Sequence, residues 1–88
     1  MIEFAEDRLV AAHRHCTNNR VELEASSLCG CFYCMETFSP AEVTDWLEEE
    51  GTALCPKCGI DAVLASQTGL PITRPEFLRA MHRHWFER

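Results

Sequence analysis

The chain has 88 residues, a formal net charge of −6, 47% hydrophobic residues and 25% charged residues. These values predict a single small globular domain, residues 1–88, and exclude a disordered chain. They also disfavour general nucleic-acid binding, because an acidic protein repels phosphate backbones. A chain this short buries a modest core, so a bound metal ion would add stability that packing alone supplies with difficulty.

The N-terminal segment, MIEFAEDRLV, has three acidic residues, no basic region and only short apolar runs. We therefore expect neither a secretory signal nor a membrane span, and a cytoplasmic location. An amphipathic helix that ends near Asn18 is predicted by apolar residues at helical spacing. These residues are Ile2, Ala5, Leu9, Ala12 and Cys16. Asn19 and Glu22 form a candidate capping pair for a short second helix.

The middle of the chain has several local helix signals. Ser39 can cap a helix that starts at Pro40, and Glu42 can close a capping box. The pattern predicts an acidic amphipathic helix that ends at Gly51. Its inward face would consist of Val43, Trp46 and Leu47. We expect a short strand, TAL, to follow this helix and lead into Cys55.

The last third of the chain contains an ambiguous segment and a clear helix. GIDAVLAS could be a helical turn or a strand, and QTGLPIT is turn material. Thr73 and Glu76 form a candidate capping box for a C-terminal helix. The apolar stripe of that helix would be Phe77, Leu78, Met81 and Trp85.

Six cysteines dominate the chemistry of the sequence. Cys31 and Cys34 enclose two residues, Cys55 and Cys58 enclose two more, and twenty residues separate the pairs. This spacing is typical of a four-cysteine zinc site, and a reducing cytoplasm disfavours disulfides. We predict one structural Zn²⁺ with four thiolate ligands, which leaves no coordination position open for a catalytic water. Unmetallated or redox-active thiols are the alternative.

The predicted fold class is α+β and helix-rich, a small zinc finger wrapped by N-terminal, middle and C-terminal helices. If GIDAVL is helical, Cys58 lies at a helix N-terminus and the finger is treble-clef-like, which is the alternative we favour. If the segment is a strand, the finger is closer to a zinc ribbon.

Two further groups of residues could coordinate metal. Cys29 lies two residues before Cys31 and could replace it as a ligand, or be a small core residue. Four histidines lie in the terminal segments: His13, His15, His82 and His84. If the terminal helices dock together, these histidines could form a second metal site or an acid–base pair; otherwise they are surface or core residues.

The C-terminal helix has a basic side formed by Arg74, Arg79, Arg83 and Arg88. These arginines could contact phosphate, pair with an acidic surface or be solvated. Phe32, Tyr33 and Trp46 could form a binding surface, although a small domain needs its aromatic residues for the core.

Several motifs together resemble one protein family. They are SSLCGCFYCMETFSPAEVTDWL, TALCPKCGIDAVL, GLPIT and FLRAMHRHWF, which span roughly residues 26 to 86. The chain resembles small uncharacterised bacterial zinc-finger-like proteins described only as cytoplasmic. The family's cysteine pairs match Cys31, Cys34, Cys55 and Cys58, and its CGID run matches residues 58–61, where AVL follows in place of the more familiar SVI. The resemblance implies zinc and a bacterial cytoplasm, and no known activity, substrate or partner.

From these observations we expect a non-enzymatic module that binds an unidentified protein partner and no membrane. The alternatives are a nucleic-acid-binding finger that uses the arginines of the last helix, and a metal-dependent enzyme that uses His13 or His15 with His82 or His84.

Overall fold

The computed structural model describes residues 5–47 and 51–87. Within them the chain forms three α-helices, α1 (Glu6–His13), α2 (Arg20–Glu24) and α3 (Pro75–Phe86). Short 3₁₀ turns occupy Arg14–Cys16, Pro40–Glu42 and Ser66–Thr68. None of these helices is long and apolar enough to cross a membrane.

Five short strands form two sheets in the described part of the chain. The strands are β1 (Cys29–Cys31), β2 (Thr37–Phe38), β3 (Trp46–Leu47), β4 (Thr52–Ala53) and β5 (Val63–Ala65). The larger sheet has the antiparallel order β2–β1–β5, and β3 pairs separately with β4. The predicted α+β class is confirmed.

Helix α1 and the turn after it bury part of the predicted stripe, but Ala5, at the N-cap position, is exposed. Leu9 and Ala12 are buried on its inner side, and Cys16 is buried in the 3₁₀ turn that follows. The predicted stripe also included Ile2, which lies outside the described residues. The short second helix is present as α2, with Asn19 at its N-cap position.

The capping role predicted for Asn19 is wrong. Its side chain makes no cap hydrogen bond and is completely buried. The amide Nδ2 donates to the carbonyl oxygens of His15 (3.0 Å) and Val63 (2.8 Å), and Oδ1 accepts from the Ala53 N–H (3.1 Å). Asn19 therefore joins the 3₁₀ turn after α1 to strands β4 and β5, and it provides hydrogen-bond partners for three backbone groups.

Over residues 40–47, the described part of the predicted middle helix, no α-helix forms. The capping box of Ser39 and Glu42 does form, but it supports a single 3₁₀ turn, and Val43 adopts an extended backbone with φ −77° and ψ 114°. Residues 46–47 then pair with Thr52–Ala53 across a turn in which Gly51 has φ +61°. Leu47, predicted to face inward, is 40% exposed. The predicted acidic outer face at residues 48–50 lies outside the described residues.

Two β-branched residues, Val43 and Thr44, help to explain why the helix stops. Such residues lose side-chain freedom in a helix and favour extended backbone. The Leu54 N–H donates to the Asp45 carbonyl oxygen at 3.0 Å, which extends the β3–β4 pairing. Pairing with a distant strand therefore overrides the local helix signal. The strand predicted before Cys55 is confirmed as β4.

Helix α3 has the predicted apolar stripe but a different start. Phe77, Leu78 and Met81 are buried, and Trp85 is half-buried. The helix begins at Pro75 with Arg74 at the N-cap and no side-chain cap, so the predicted capping box at Thr73 is wrong. Proline at the first helical position explains this start, because it disfavours helical backbone at the residue before it.

Candidate metal centre

The first cysteine pair lies in a turn between β1 and β2, residues 31–36, which we call the first knuckle. The Cys31 N–H donates to the Glu36 carbonyl oxygen at 3.0 Å and closes the turn. The Tyr33 N–H donates to Cys31 Sγ at 3.4 Å. Met35 completes the turn with φ +64°, a left-handed conformation that is uncommon outside glycine and asparagine. The local fold thus directs backbone N–H groups at a cysteine sulfur.

The second cysteine pair makes the same turn at residues 55–60, the second knuckle. The Cys55 N–H donates to the Ile60 carbonyl oxygen at 3.0 Å, and the Lys57 N–H donates to Cys55 Sγ at 3.3 Å. Gly59 occupies the position equivalent to Met35 and has φ +80°. The two knuckles are therefore equivalent turns, each with a sulfur that accepts a hydrogen bond from the backbone.

The two knuckles bring their sulfurs together. The Sγ atoms of Cys31, Cys34, Cys55 and Cys58 all lie within 4.8 Å of one another. Cys31 and Cys58 are 3.7 Å apart at sulfur, and so are Cys34 and Cys55. Tetrahedral coordination with a metal–sulfur bond near 2.3 Å places sulfurs about 3.8 Å apart. The arrangement can hold a metal ion, and all six cysteines of the chain are free of disulfides.

The electrostatics of the cluster differ between the two knuckles. Burial raises the pKa of the Cys31 and Cys34 thiols above the usual cysteine value. At Cys55 burial acts in the same direction, but backbone N–H groups of Lys57 and Cys58 and the neighbouring thiols outweigh it and lower the pKa. Cys55 is therefore better prepared to ionise than Cys31 or Cys34, from which a metal must displace tightly held protons.

The chain that leaves the second knuckle returns to the first. The Phe32 N–H donates to the Ala62 carbonyl oxygen at 3.0 Å, and strand β5 then pairs with β1 so that Cys31 lies opposite Val63. Residues 63–65 are a strand, so the helix required by the treble-clef alternative is absent. A strand at this place is what the ribbon-like alternative requires.

The remaining two cysteines lie outside the cluster. Cys29 is completely buried in β1 opposite Phe38 and Ala65, and Cys16 is 3% exposed in the core. Burial raises the pKa of each thiol to about 11. The geometry therefore supports Cys29 as a core residue and not as a metal ligand.

Each of the four histidines contacts a neighbouring group, and two of them share the Trp85 ring. The His13 ring lies 3.9 Å from the Trp85 ring, and His15 Nδ1 is 2.9 Å from the Glu22 carboxylate. His82 Nδ1 donates to the Phe32 carbonyl oxygen at 3.1 Å. His84 packs edge-on against the adjacent Trp85 ring at 4.8 Å.

Docking of α1 against α3 does bring two histidines near each other. Burial lowers the pKa of His13, and repulsion from His84 contributes in the same direction. Within residues 5–47 and 51–87, however, the four-cysteine cluster is the one group of three or more residues suited to a metal.

The candidate binding residues divide between core and surface. Phe32 is buried, Trp46 is half-buried under the Arg20 guanidinium at 4.8 Å, and Tyr33 is 41% exposed. Arg74, Arg79 and Arg83 are exposed, and Arg88 lies outside the described residues.

Sequence reasoning missed the residues that support the knuckles from outside. His82 joins α3 to the first knuckle, and Lys57 Nζ lies 3.2 Å from Glu42, which joins the second knuckle to the middle 3₁₀ turn. Asn19 connects the strands on either side of the second knuckle. All three contacts are distant in sequence, so no local pattern signals them.

Comparison with protein-family models, curated proteins and solved structures finds no match to the chain. The family resemblance drawn from the cysteine motifs therefore stays a prediction.

Proposed function

We propose that the chain is a small cytoplasmic protein-binding module whose fold is held together by one structural Zn²⁺. The observation that carries the metal assignment is the cluster of four sulfurs from two equivalent knuckles, all within 4.8 Å of one another and with two of the pairs 3.7 Å apart. Zinc binds four thiolates in this geometry in structural sites, whereas catalytic zinc keeps a position open for water. The free thiols of Cys16 and Cys29 fit a reducing compartment.

A matched pair of substitutions tests the metal assignment. Cys31 and Cys29 lie in the same strand and are equally buried, but only Cys31 belongs to the cluster. Cys31→Ala should abolish stoichiometric zinc and cooperative unfolding. Cys29→Ala should keep the zinc and lose about 1 kcal/mol from a small core truncation.

Metal analysis by mass spectrometry gives the readout. Wild-type protein should contain one zinc per chain. Iron in place of zinc would contradict the zinc assignment, since tetrahedral sulfur sites also accept iron. Equal metal content in both variants would contradict the ligand set.

A protein-binding role is supported by what surrounds the cluster. Four thiolates around one ion leave no vacant position for a substrate. His15 and His82 contact Glu22 and the Phe32 carbonyl oxygen, while His13 and His84 both pack on the Trp85 ring. The formal net charge of −6 opposes a general affinity for nucleic acid. A small rigid domain with these properties suits recognition of another protein.

Affinity purification of the tagged, metal-loaded chain from its native organism at moderate salt tests this role. The proposal expects a protein that co-purifies in a fixed ratio to the chain and survives nuclease treatment. Loss of all co-purifying protein after nuclease treatment, or catalytic turnover abolished by a His13 or His82 substitution, would contradict it.

A nucleic-acid-binding finger is the second candidate, favoured by one observation. Arg79 and Arg83 lie one turn apart on α3, are exposed, and make no ion pair within the described residues. This candidate expects salt-dependent binding of oligonucleotides that is weakened by Arg79→Ala and Arg83→Ala.

A further inference from the structure

Helix α3 has a second face that is not used in the core. Arg79, Arg83 and Phe86 are spaced by four and three residues, so they lie along one side of the helix. All three are exposed, and this side differs from the one formed by Phe77, Leu78 and Met81.

The exposed face of α3 continues onto the first knuckle through an aromatic pair. The Tyr33 and Phe86 rings meet edge to face, with centroids 4.9 Å apart and an interplanar angle of 83°. Tyr33 remains 41% exposed and Phe86 42% exposed, although large apolar side chains gain free energy by burial. We call Tyr33, Phe86, Arg79 and Arg83 together the α3–knuckle surface.

The aromatic pair is held in place from below. His82 donates from Nδ1 to the Phe32 carbonyl oxygen, and its ring lies 5.5 Å from Phe86 and 5.8 Å from Tyr33. Phe86 also contacts the buried Phe32 ring at 5.7 Å. Because these contacts fix both rings, a ligand that packs on them would lose little free energy to ordering.

The cations of this surface are available to a ligand. Arg20 and Lys57 use their charges within the domain, on Glu24 and Glu42. Arg79 and Arg83 make no such pair in the part of the chain that the structure describes. An exposed aromatic pair with two uncommitted arginines on the same side of the helix as Phe86 is complementary to carboxylates next to an apolar side chain.

We infer that the α3–knuckle surface docks a short acidic segment of the partner protein. One apolar side chain of that segment packs against Tyr33 and Phe86, and flanking carboxylates pair with Arg79 and Arg83. The inference rests on the proposed protein-binding function and names the chemistry of the partner.

Single-stranded nucleic acid also uses aromatic rings and arginines. It is the less favourable ligand here because a long phosphate backbone would approach a chain of net charge −6. A short peptide can place a few carboxylates at the arginines without crossing the acidic remainder of the surface.

Fluorescence anisotropy with the metal-loaded full chain tests the inference. The probe is a labelled peptide in which a Leu-Phe pair is flanked by glutamates. Reference probes are the same peptide with lysines in place of glutamates, and a single-stranded oligothymidine. The glutamate peptide should bind, the lysine peptide should not, and the oligothymidine should bind more weakly than the glutamate peptide.

Two charge reversals provide the matched comparison. Arg79→Glu with Arg83→Glu should lower the affinity for the glutamate peptide by about tenfold or more. Arg8→Glu with Arg14→Glu changes the net charge equally, at exposed arginines of α1 and its following turn that also make no ion pair in the described residues. This control pair should cause a clearly smaller loss. Tyr33→Ala should weaken binding without changing metal content.

Failure has distinct signatures. An unbound glutamate peptide, equal losses in the two charge reversals, or tighter binding of oligothymidine would overturn the inference. If the Arg79→Glu, Arg83→Glu chain still captures the wild-type partner in the same ratio, this surface is wrong while the protein-binding function stands. If the wild-type chain captures no protein partner, the proposed function itself fails.

Discussion

The two knuckles have the same backbone geometry but different surroundings. In the first, the flanking strands β1 and β2 pair with each other, so the sheet itself closes the turn. In the second, the strand before it, β4, belongs to the small sheet, and the strand after it, β5, belongs to the large sheet. The Asn19 amide bridges these two strands. One knuckle is thus built on a strand pair, and the other lies between two strands that a side chain bridges.

The difference extends to the residue with a left-handed backbone. The second knuckle uses Gly59, which adopts φ +80° without steric cost, and the first uses Met35 at φ +64°. A non-glycine residue in this conformation costs about 1–2 kcal/mol and persists where the surrounding structure determines it. Pairing of β1 with both β2 and β5 provides that support. Glycine thus occupies the left-handed position in the knuckle whose flanking strands do not pair with each other. A less favourable residue, Met35, occupies it in the knuckle that a strand pair closes.

The largest expected effect follows metal removal, which would take away the four metal–sulfur bonds proposed to join the knuckles. Structural zinc contributes about 10–16 kcal/mol of apparent binding free energy, as much as the stability of a whole domain. Chelation should therefore unfold the chain or leave it without a cooperative unfolding transition. Circular dichroism measures this change. A metal-free chain that still unfolds cooperatively, with all four cluster thiols free, would contradict the account.

Competition between protons and the metal ion for the cysteine sulfurs sets the pH dependence of metal binding. The metal-free chain holds protons on Cys31 and Cys34, whose pKa values burial raises, and the metal-bound chain does not. Because the metal-free state binds more protons, affinity should fall as pH falls, across the whole range below the raised pKa values. Competition with a chromophoric chelator at several pH values measures this. Affinity that is constant or rises on acidification would contradict the protonation argument.

The second effect concerns Asn19. Asn19→Ala removes the partner of a buried carbonyl oxygen, a buried N–H and a partly buried carbonyl oxygen, which should cost about 2–4 kcal/mol in the free energy of unfolding. Hydrogen exchange should quicken at the Cys55 N–H in the second knuckle more than at the Cys31 N–H in the first.

Thr17→Ala is the control for Asn19→Ala, because Thr17 is exposed and its hydroxyl makes only a 3.5 Å contact with the Arg14 carbonyl oxygen. This change should stay within about 0.5 kcal/mol. Equal acceleration of exchange in both knuckles after Asn19→Ala would show that the amide does not serve the second knuckle specifically.

The smallest effects come from exchanging the residues with left-handed backbone. Gly59→Ala should lower the free energy of unfolding by about 1 kcal/mol through backbone strain. The added Cβ meets nothing within 4 Å, so no clash contributes. Met35→Gly should raise stability by up to about 1 kcal/mol, because relief of strain exceeds the added entropy of the unfolded chain and Met35 is exposed. Thermal unfolding of the metal-loaded variants measures both. Shifts of the same sign would contradict the equivalence of the two turns.

The sequence alone was sufficient for features encoded by short spacings. The two cysteine pairs predicted the cluster, and apolar periodicity predicted the buried residues Leu9 and Ala12 in α1 and Phe77 in α3. In these cases each residue acts with neighbours a few positions away. The sequence left two alternatives for Cys29, a metal ligand or a core residue, and the geometry supports the core residue.

Features that depend on distant partners were not predictable in the same way. The capping box at Ser39 forms as expected, yet pairing of Trp46 with Ala53 replaces the helix that it would start. Asn19 looks like a cap in the sequence, but its partners are the distant residues Val63 and Ala53 as well as His15. A local sequence signal indicates which secondary structure a segment favours. Where tertiary hydrogen bonds favour a different structure, they determine the fold.

X-ray absorption spectroscopy of the purified, metal-loaded chain at the zinc edge tests the central claim most directly. The claim is that two equivalent knuckles hold one zinc ion through four sulfurs. The account predicts a first shell of four sulfur scatterers at about 2.3 Å and no nitrogen or oxygen ligand. A shell in which nitrogen or oxygen replaces one or more sulfurs, or a preparation with no zinc in proportion to the chain, would contradict it.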